Sequence, residues 1–218
     1  MLPTIAEPVT MLTDYMIAGE CLYFAVALAR RPAGRQARSQ SCWMLAFLFL
    51  GVASVLGGSH HGLANAMSAA ASVGMWKLAT LAVGPVTFFF LLGTARATLR
   101  PHLYRPFAVA VAVELGVYLW WTWGHDDYVY VIADYGSGLV LVLLMQAYAV
   151  VKLRSRSGEW MIAGALTSFA AAGLQMSEVS LHQHFNHNDL YHVVQMVALY
   201  LFYRGARIMA DRNDRPAR

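Results

Sequence analysis

Seven of the eight histidines in this 218-residue chain lie at or just beyond the ends of hydrophobic segments, on the side that carries almost no Lys or Arg. Only His102 lies among basic residues. Neutral imidazoles accompanied by carboxylates, in a chain with two cysteines, suit Zn²⁺ first among divalent metals. The pattern therefore indicates a metal site at one face of the protein. The seven histidines are His60, His61, His125, His182, His184, His187 and His192.

Three imidazoles form the best candidate ligand set for this metal. They are one of the adjacent pair His60 and His61, with a weak preference for His61, together with His187 and His192. His187 and His192 are five residues apart, and two residues at that spacing do not share a helix face. Both can reach one ion only if the helix begins between them. Asn188 or Asp189 as the N-cap would allow this.

Acidic residues inside the apolar segments are the second group with potential chemistry, because a charge in hydrocarbon is costly unless it is paired or solvated. Asp134 and Glu178 are expected within the outer ~10 Å of their segments, at a rise of roughly 1.5 Å per residue. Either could take a proton from a metal-activated water, and Ser59 could hydrogen-bond that water or a developing oxyanion. Glu20 lies about nine residues into its segment and is expected at the floor of the same cavity.

Seven apolar runs of roughly 20 residues must position these side chains, and that is the length a helix needs to cross a bilayer core. A composition with 58% hydrophobic and 13% charged residues excludes an ordinary soluble domain. The runs do not alternate, which excludes barrel strands. We therefore predict an all-α membrane protein with a single seven-helix transmembrane domain over residues 1–218. The predicted spans are 11–29, 42–63, 72–95, 106–123, 128–151, 160–181 and 190–209.

Basic residues follow every second segment, and the other connections contain no Lys or Arg. The positive-inside rule then predicts an outer N-terminus and a cytoplasmic C-terminus, which needs an odd number of spans. The net charge of +4 is spread over these connections, so no nucleic-acid partner is expected. Lys77 is the exception to the pattern, and it should face a buried acid or extend to the outer surface. The expected location is a bacterial inner membrane.

This plan resembles the superfamily of seven-helix membrane hydrolases and receptors that includes alkaline ceramidases and adiponectin-type receptors. Its members carry an acid in helix one, a Ser and a His near the end of helix two, and two His at the start of helix seven, around one zinc ion. The matching helices here hold Glu20, Ser59 with His61, and His187 with His192. The spacing of these motifs differs from that of the superfamily. One residue separates Ser59 from His61 where the superfamily has three, and four residues separate His187 from His192 where it has three. The third segment also lacks the family's Asp.

The residues and the resemblance together predict a zinc-dependent intramembrane hydrolase of a lipid-like amide or ester, with its active site open to the outer face. Because the third segment has no acid, Asp134 or Glu178 would activate the water. One alternative is a haem-binding electron-transfer or sensor protein with His61 and His192 as axial ligands. Another is a receptor-like protein with a non-catalytic zinc. The sequence does not specify the oligomeric state.

Overall fold

The computed structural model describes residues 5–30, 36–177, 179–182 and 185–214. Over these residues the chain forms seven long α-helices and no β-strand. This confirms the prediction of an all-helical chain with seven helices. In chain order they are α1 (Pro8–Ala29), α2 (Arg38–Leu63), α3 (Ala69–Thr98), α4 (Pro101–Gly124), α5 (Val129–Leu153), α6 (Arg156–Met176) and α7 (His187–Ile208).

Most helix ends lie close to the predicted ones, and local chemistry accounts for them. Pro8 and Pro101 stand at the first positions of α1 and α4, where a missing N–H costs nothing. Arg154 adopts a left-handed φ of 52° after α5, so the chain reverses and α6 begins two residues later. The sixth predicted span, 160–181, is wrong at its end. There the Ser177 hydroxyl donates to the Leu174 carbonyl at 2.7 Å and α6 stops at Met176.

Five helices, α1 to α5, are long and apolar enough to cross a membrane. The described parts of α6 and α7 do not join this group. In α7 the reason is plain, because Asp189, His192, Gln195 and Arg204 interrupt its apolar residues.

Six helices close a ring, in the order α1, α2, α3, α5, α6 and α7, with α7 packed again on α1. α4 packs against α3 from outside this ring. Short connections make consecutive helices antiparallel, so α2, α4 and α6 end where α1, α3, α5 and α7 begin. We call this the histidine end, since His61 and His192 lie there, and the opposite one the basic end.

Aromatic packing fills the half of the ring toward the basic end. Phe24 of α1 stacks on Tyr203 of α7 with ring centroids 4.3 Å apart, and Trp43 of α2 stacks on Phe202 at 5.3 Å. Phe47 is buried among them. These rings form a dense core that holds α1, α2 and α7 together. In the half toward the histidine end, the described side chains leave room for a cavity.

Gly164 permits the close contact between α6 and α7, because a Cβ at this position would lie 2.7 Å from Cδ1 of Phe202. We expect Gly164→Ala to lower the free energy of unfolding by about 1–3 kcal/mol through overpacking. Gly116 of α4 has no atom within 4 Å of its Cβ position. Gly116→Ala should therefore be neutral or stabilising by up to ~1 kcal/mol. Denaturant titration in detergent measures both, and equal effects would contradict the packing argument.

Candidate functional site

A cavity of about 600 Å³ lies inside the ring toward the histidine end. α1, α2, α3, α5, α6 and α7 all contribute to its wall. Most of the wall is apolar, and side chains such as Leu50, Val83, Leu139 and Phe169 form it. The volume is in the range of small-molecule sites, and such a lining suits a hydrocarbon chain. Any chemistry in this cavity must therefore come from the polar residues of its wall.

His192 is one of the buried polar residues of this wall, with 9% of its surface exposed. Its Nδ1 lies 2.8 Å from the hydroxyl of Thr13, and its Nε2 lies 3.5 Å from Oδ1 of Asp14. Both partners belong to α1. The imidazole is thus held between a hydroxyl on one side and a carboxylate on the other.

The Thr13 hydroxyl has one hydrogen, and a backbone carbonyl can only accept a hydrogen bond. We assign this hydrogen to the Thr10 carbonyl, which lies 3.0 Å from the hydroxyl oxygen. Thr13 then accepts the Nδ1–H of His192, and the lone pair of Nε2 faces the carboxylate of Asp14. Two hydrogen-bond acceptors that face each other in a buried site are unfavourable unless a cation or a proton lies between them.

A second contact fixes the position of α7 relative to α1. The carboxylate of Asp189 is buried and accepts the hydroxyl of Thr10 at 2.9 Å. Its other oxygen accepts the backbone N–H of Asn186 at 2.8 Å. The Asn186 side chain in turn accepts the N–H groups of Asn188 and Asp189, which completes a capping box. The N-terminal turn of α7 is therefore anchored to α1, one turn before His192.

His61 contributes a second imidazole to the cavity wall, from the last turn of α2. Its Nδ1 lies 3.1 Å from Oε2 of Glu7. Its ring lines the same cavity as His192. His60 points elsewhere, since its Nδ1 lies 3.2 Å from both oxygens of Ser72 and its ring packs on Trp76. The structure thus places His61, and not His60, at the cavity.

The cavity also has a polar floor, formed by Tyr135, Ser168 and Gln195. The Gln195 amide donates to the Tyr135 hydroxyl at 3.4 Å. Among the residues the structure describes, Oε1 of Gln195 and Oγ of Ser168 are buried and have no hydrogen-bond partner. Gln195 lies one helical turn below His192. A ligand or water that carries a polar group at this depth would satisfy both atoms.

A family model matches residues 9–211, and its description is a family of unknown function, DUF6962. The chain belongs to this family. No curated protein and no solved structure matches it. The stretch shared with DUF6962 runs from the first turn of α1 to beyond the end of α7, so it includes the whole ring and the residues around His192.

The sequence prediction for the start of α7 is wrong, and this affects His187. The N-cap is Asn186, not Asn188 or Asp189, because the capping box starts the helix earlier. His187 is therefore already helical and faces away from the side that carries His192. It is not among the residues of the cavity wall. The structure does not bring His187 together with His61 and His192.

Two further predicted site residues also lie elsewhere. Ser59 donates to the Val55 carbonyl at 2.7 Å and lies 2.9 Å from the Tyr15 hydroxyl, outside the cavity wall. Glu20 is not at the cavity floor but lines a separate groove at the basic end. It follows Asp14 by six residues, which rotates its side chain by roughly 120° around α1.

Asp134 is buried but also lies outside the cavity wall. Its Oδ2 accepts the hydroxyl of Thr87 at 2.6 Å, and the carboxyl of Glu114 lies beside it. On α5 the residues that reach the cavity are its neighbours, including Val131 and Tyr135. Asp134 thus joins α5 to α3 and α4. The predicted site residue Glu178 and the nearby His184 lie outside the described residues.

Lys77 follows one of its two predicted behaviours. Its ammonium donates to the carbonyls of Thr122 at 2.7 Å and of His125 at 3.3 Å, and it pairs with the carboxylate of Asp126. Asp126 is largely exposed. The lysine therefore extends toward the surface at the histidine end and caps α4.

Asp14 and Thr13 are the site residues that sequence reasoning missed. A signal for them exists, since Thr10, Thr13, Asp14 and Ile17 follow the helical spacing i, i+3, i+4 and i+7. This places three polar residues on one buried stripe of an otherwise apolar span. Such a stripe is expected to face a polar partner, and here it faces α7.

Proposed function

We propose that this protein is a zinc-dependent hydrolase that acts within the membrane on a lipid-like amide or ester. One observation carries the proposal. Imidazoles from α2 and α7 and a carboxylate from α1 line the same mostly apolar cavity, which is large enough to take a hydrocarbon chain. An apolar substrate and a polar reacting group would then meet at the level of His192.

The residues that would hold the metal are His61, His192 and Asp14. In the described part of the chain, no three His, Cys, Asp or Glu side chains already stand as a complete metal cluster. Two of these donors nevertheless stand at the spacing that one ion requires. Two atoms bound to one tetrahedral zinc lie about 3.4 Å apart for bonds of roughly 2.0–2.1 Å. His192 Nε2 and Asp14 Oδ1 are 3.5 Å apart.

The outer contacts of both histidines support this ligand set. Metal-bound histidines usually donate their other ring N–H to an oxygen, which orients the ring. Here Glu7 lies at Nδ1 of His61 and Thr13 at Nδ1 of His192, so both Nε2 atoms are left for the ion. Two histidines with one carboxylate are also the protein ligands of known catalytic zinc sites with an open fourth position.

Bound there, a zinc ion supplies polarisation of a substrate carbonyl and activation of water near neutral pH. The chain's own residues would accept the proton, bind the substrate and exclude water. Asp14 Oδ1 faces the metal position, and its second oxygen is left to accept a proton from the reacting water. The apolar wall binds the hydrocarbon part of the substrate and excludes bulk water. The polar floor at Gln195 and Ser168 receives a polar group deeper in the substrate.

We further propose that the histidine end faces the outside of a bacterial inner membrane and that the basic end faces the cytoplasm. The distribution of Lys and Arg supports this orientation through the positive-inside rule. Substrate would then enter from the outer leaflet. The cavity wall between α5 and α6, which contains Ile132 and Met176, is made of side chains compatible with lipid access.

Elemental analysis of the purified full-length protein, with a visible absorption spectrum, tests the proposal. We expect about one zinc per chain and no Soret band. His61→Ala and His192→Ala should each lose the zinc. His60→Ala is the matched control, since this histidine packs on Trp76 and bonds to Ser72, and it should retain the metal.

The same preparations are then assayed with panels of acyl amides and acyl esters in mixed micelles. Hydrolysis by the unmodified protein and by His60→Ala, with none by His192→Ala, is the expected result. A Soret band, or zinc loss in all three variants alike, would overturn the metal site. Zinc retained without hydrolysis of any panel member would overturn the enzymatic part and favour a receptor-like protein.

A further inference from the structure

A second groove, of about 630 Å³, lies between α1 and α7 at the basic end. Its wall contains two arginines, Arg204 and Arg207, one helical turn apart on α7. Tyr200 and Tyr203 of α7 and Glu20 and Tyr23 of α1 complete its polar lining. No residue of this groove lines the cavity at the histidine end. The two sites are therefore separate.

The two guanidinium groups are held in place by aromatic residues and not by carboxylates. Arg204 donates to the Tyr200 hydroxyl at 2.9 Å and lies over the Trp160 ring, 4.5 Å from its centroid. Arg207 lies over the Tyr203 ring at 6.0 Å. Within the described ranges, neither arginine forms an ion pair with a carboxylate. Among the described residues, the result is a pre-positioned pair of cations without a counter-ion.

Their depth matches that of a lipid headgroup. Arg204 and Arg207 lie within four residues of Ile208, the last residue of α7, which is about 6 Å along the helix. Arginine is suited to phosphate, because its planar fork can donate two parallel hydrogen bonds. Basic pockets between helices at this level bind phospholipid headgroups in membrane proteins.

Glu20 lies deeper in the same groove. Phe24 stacks on Tyr203, so these two residues share one level, and Glu20 lies four residues further from the basic end, about 6 Å. Its Oε2 is buried, with no hydrogen-bond partner in the described structure. The glycerol and ester oxygens of a phospholipid lie below its phosphate, at this depth. In its protonated form the Glu20 carboxyl can donate to one of them.

We propose that this groove binds an anionic phospholipid from the leaflet at the basic end. Arg204 and Arg207 bind the phosphate, and Glu20 binds a glycerol or ester oxygen. A lipid explains both the paired cations at headgroup depth and the unpartnered carboxyl below them, whereas free phosphate explains only the cations. The inference depends on the membrane placement proposed above and not on hydrolysis at the histidine end.

Native mass spectrometry of the full-length protein in detergent tests the proposal, with phosphatidylglycerol as the probe and phosphatidylcholine as the neutral reference. We expect phosphatidylglycerol to bind more tightly. The double variant R204Q/R207Q should weaken this binding about tenfold or more, since each basic residue near an anionic surface contributes on the order of 1 kcal/mol. R100Q/R105Q removes the same charge at the same end and should leave binding unchanged.

Three further results decide the interpretation. Arg204 packs on Trp160, so R204Q/R207Q could lose its fold. R204K/R207K is the second variant, because it keeps both positive charges and removes only the planar guanidinium fork. It should still bind phosphatidylglycerol several-fold more weakly than the unmodified protein. Glu20→Leu tests the deeper contact, since it removes the carboxyl donor and should weaken binding of phosphatidylglycerol, whereas Glu20→Gln keeps an N–H donor and should not. Equal binding of phosphatidylcholine, full competition by millimolar inorganic phosphate, or an equal loss in R100Q/R105Q would each overturn the proposal. His192→Ala should bind the lipid normally, which separates this test from the hydrolase.

Discussion

Replacement of Asp14 with Asn is expected to lower the hydrolytic rate at least about a hundredfold and to release most of the zinc. The substitution keeps the size of the side chain but removes the negative charge that faces His192 Nε2 at 3.5 Å. An amide is a weaker zinc ligand and cannot accept the proton of the reacting water. Rate and metal content should therefore fall together.

The matched control is Asp134→Asn, which removes a second buried carboxylate from the same chain. Its side chain bonds to Thr87, away from the cavity, so rate and zinc content should stay near those of the unmodified protein. Initial rates at saturating substrate, with zinc measured on the same samples, give both quantities. If Asp134→Asn abolished hydrolysis while Asp14→Asn did not, the proton acceptor predicted from sequence would be restored and the present site would be wrong.

The contrast between Asp14 and Asp134 shows which features of the site can be predicted from sequence patterns. Hydropathy and the alternation of basic connections predict seven helices and bring six of the seven candidate histidines to one end, with His184 outside the described residues. These features depend only on the order of residues along the chain. Which polar residue points into the ring depends on the rotation of each helix, and a uniformly apolar span gives little information about rotation.

Asp134 illustrates this limit. The sequence predicts its place near the start of α5 but not its direction, because its neighbour Tyr135 faces the cavity while Asp134 faces α3. One position along a helix changes direction by about 100°. The direction of Glu20 around α1 also differs from the predicted one, so its side chain lines the groove at the basic end and not the cavity. The sequence does indicate the direction of Asp14, because the polar stripe of Thr10, Thr13 and Asp14 marks the face of α1 that packs on α7.

His187 illustrates a second limit, which concerns helix ends. The spacing of His187 and His192 allows one shared ion only if the helix starts between them, with Asn188 or Asp189 as the predicted N-cap. The reciprocal bonds of Asn186 and Asp189 instead make Asn186 the N-cap, and Thr10 of α1 stabilises the same arrangement through Asp189. A tertiary contact from the other end of the chain thus contributes to where α7 begins.

Thr13→Val is expected to weaken zinc binding about 10–100-fold without removing any ligand. Valine has nearly the same shape as threonine but cannot accept the Nδ1–H of His192, which Thr13 contacts at 2.8 Å. The imidazole then loses the bond that fixes its orientation and tautomer, and a buried N–H is left unsatisfied. Competition with a fluorescent zinc chelator measures the affinity.

Thr13→Ser restores the hydroxyl and should recover most of the affinity, which a purely steric role for the methyl group would not allow. Thr167→Val controls for the substitution itself, since the Thr167 hydroxyl donates to the Ala163 carbonyl of its own helix and takes no part in the cavity wall. Its zinc affinity should be unchanged. If Thr13→Val bound zinc as tightly as Thr167→Val, the hydroxyl would not orient His192, and the assignment of Nε2 as the metal-binding nitrogen would lose its support.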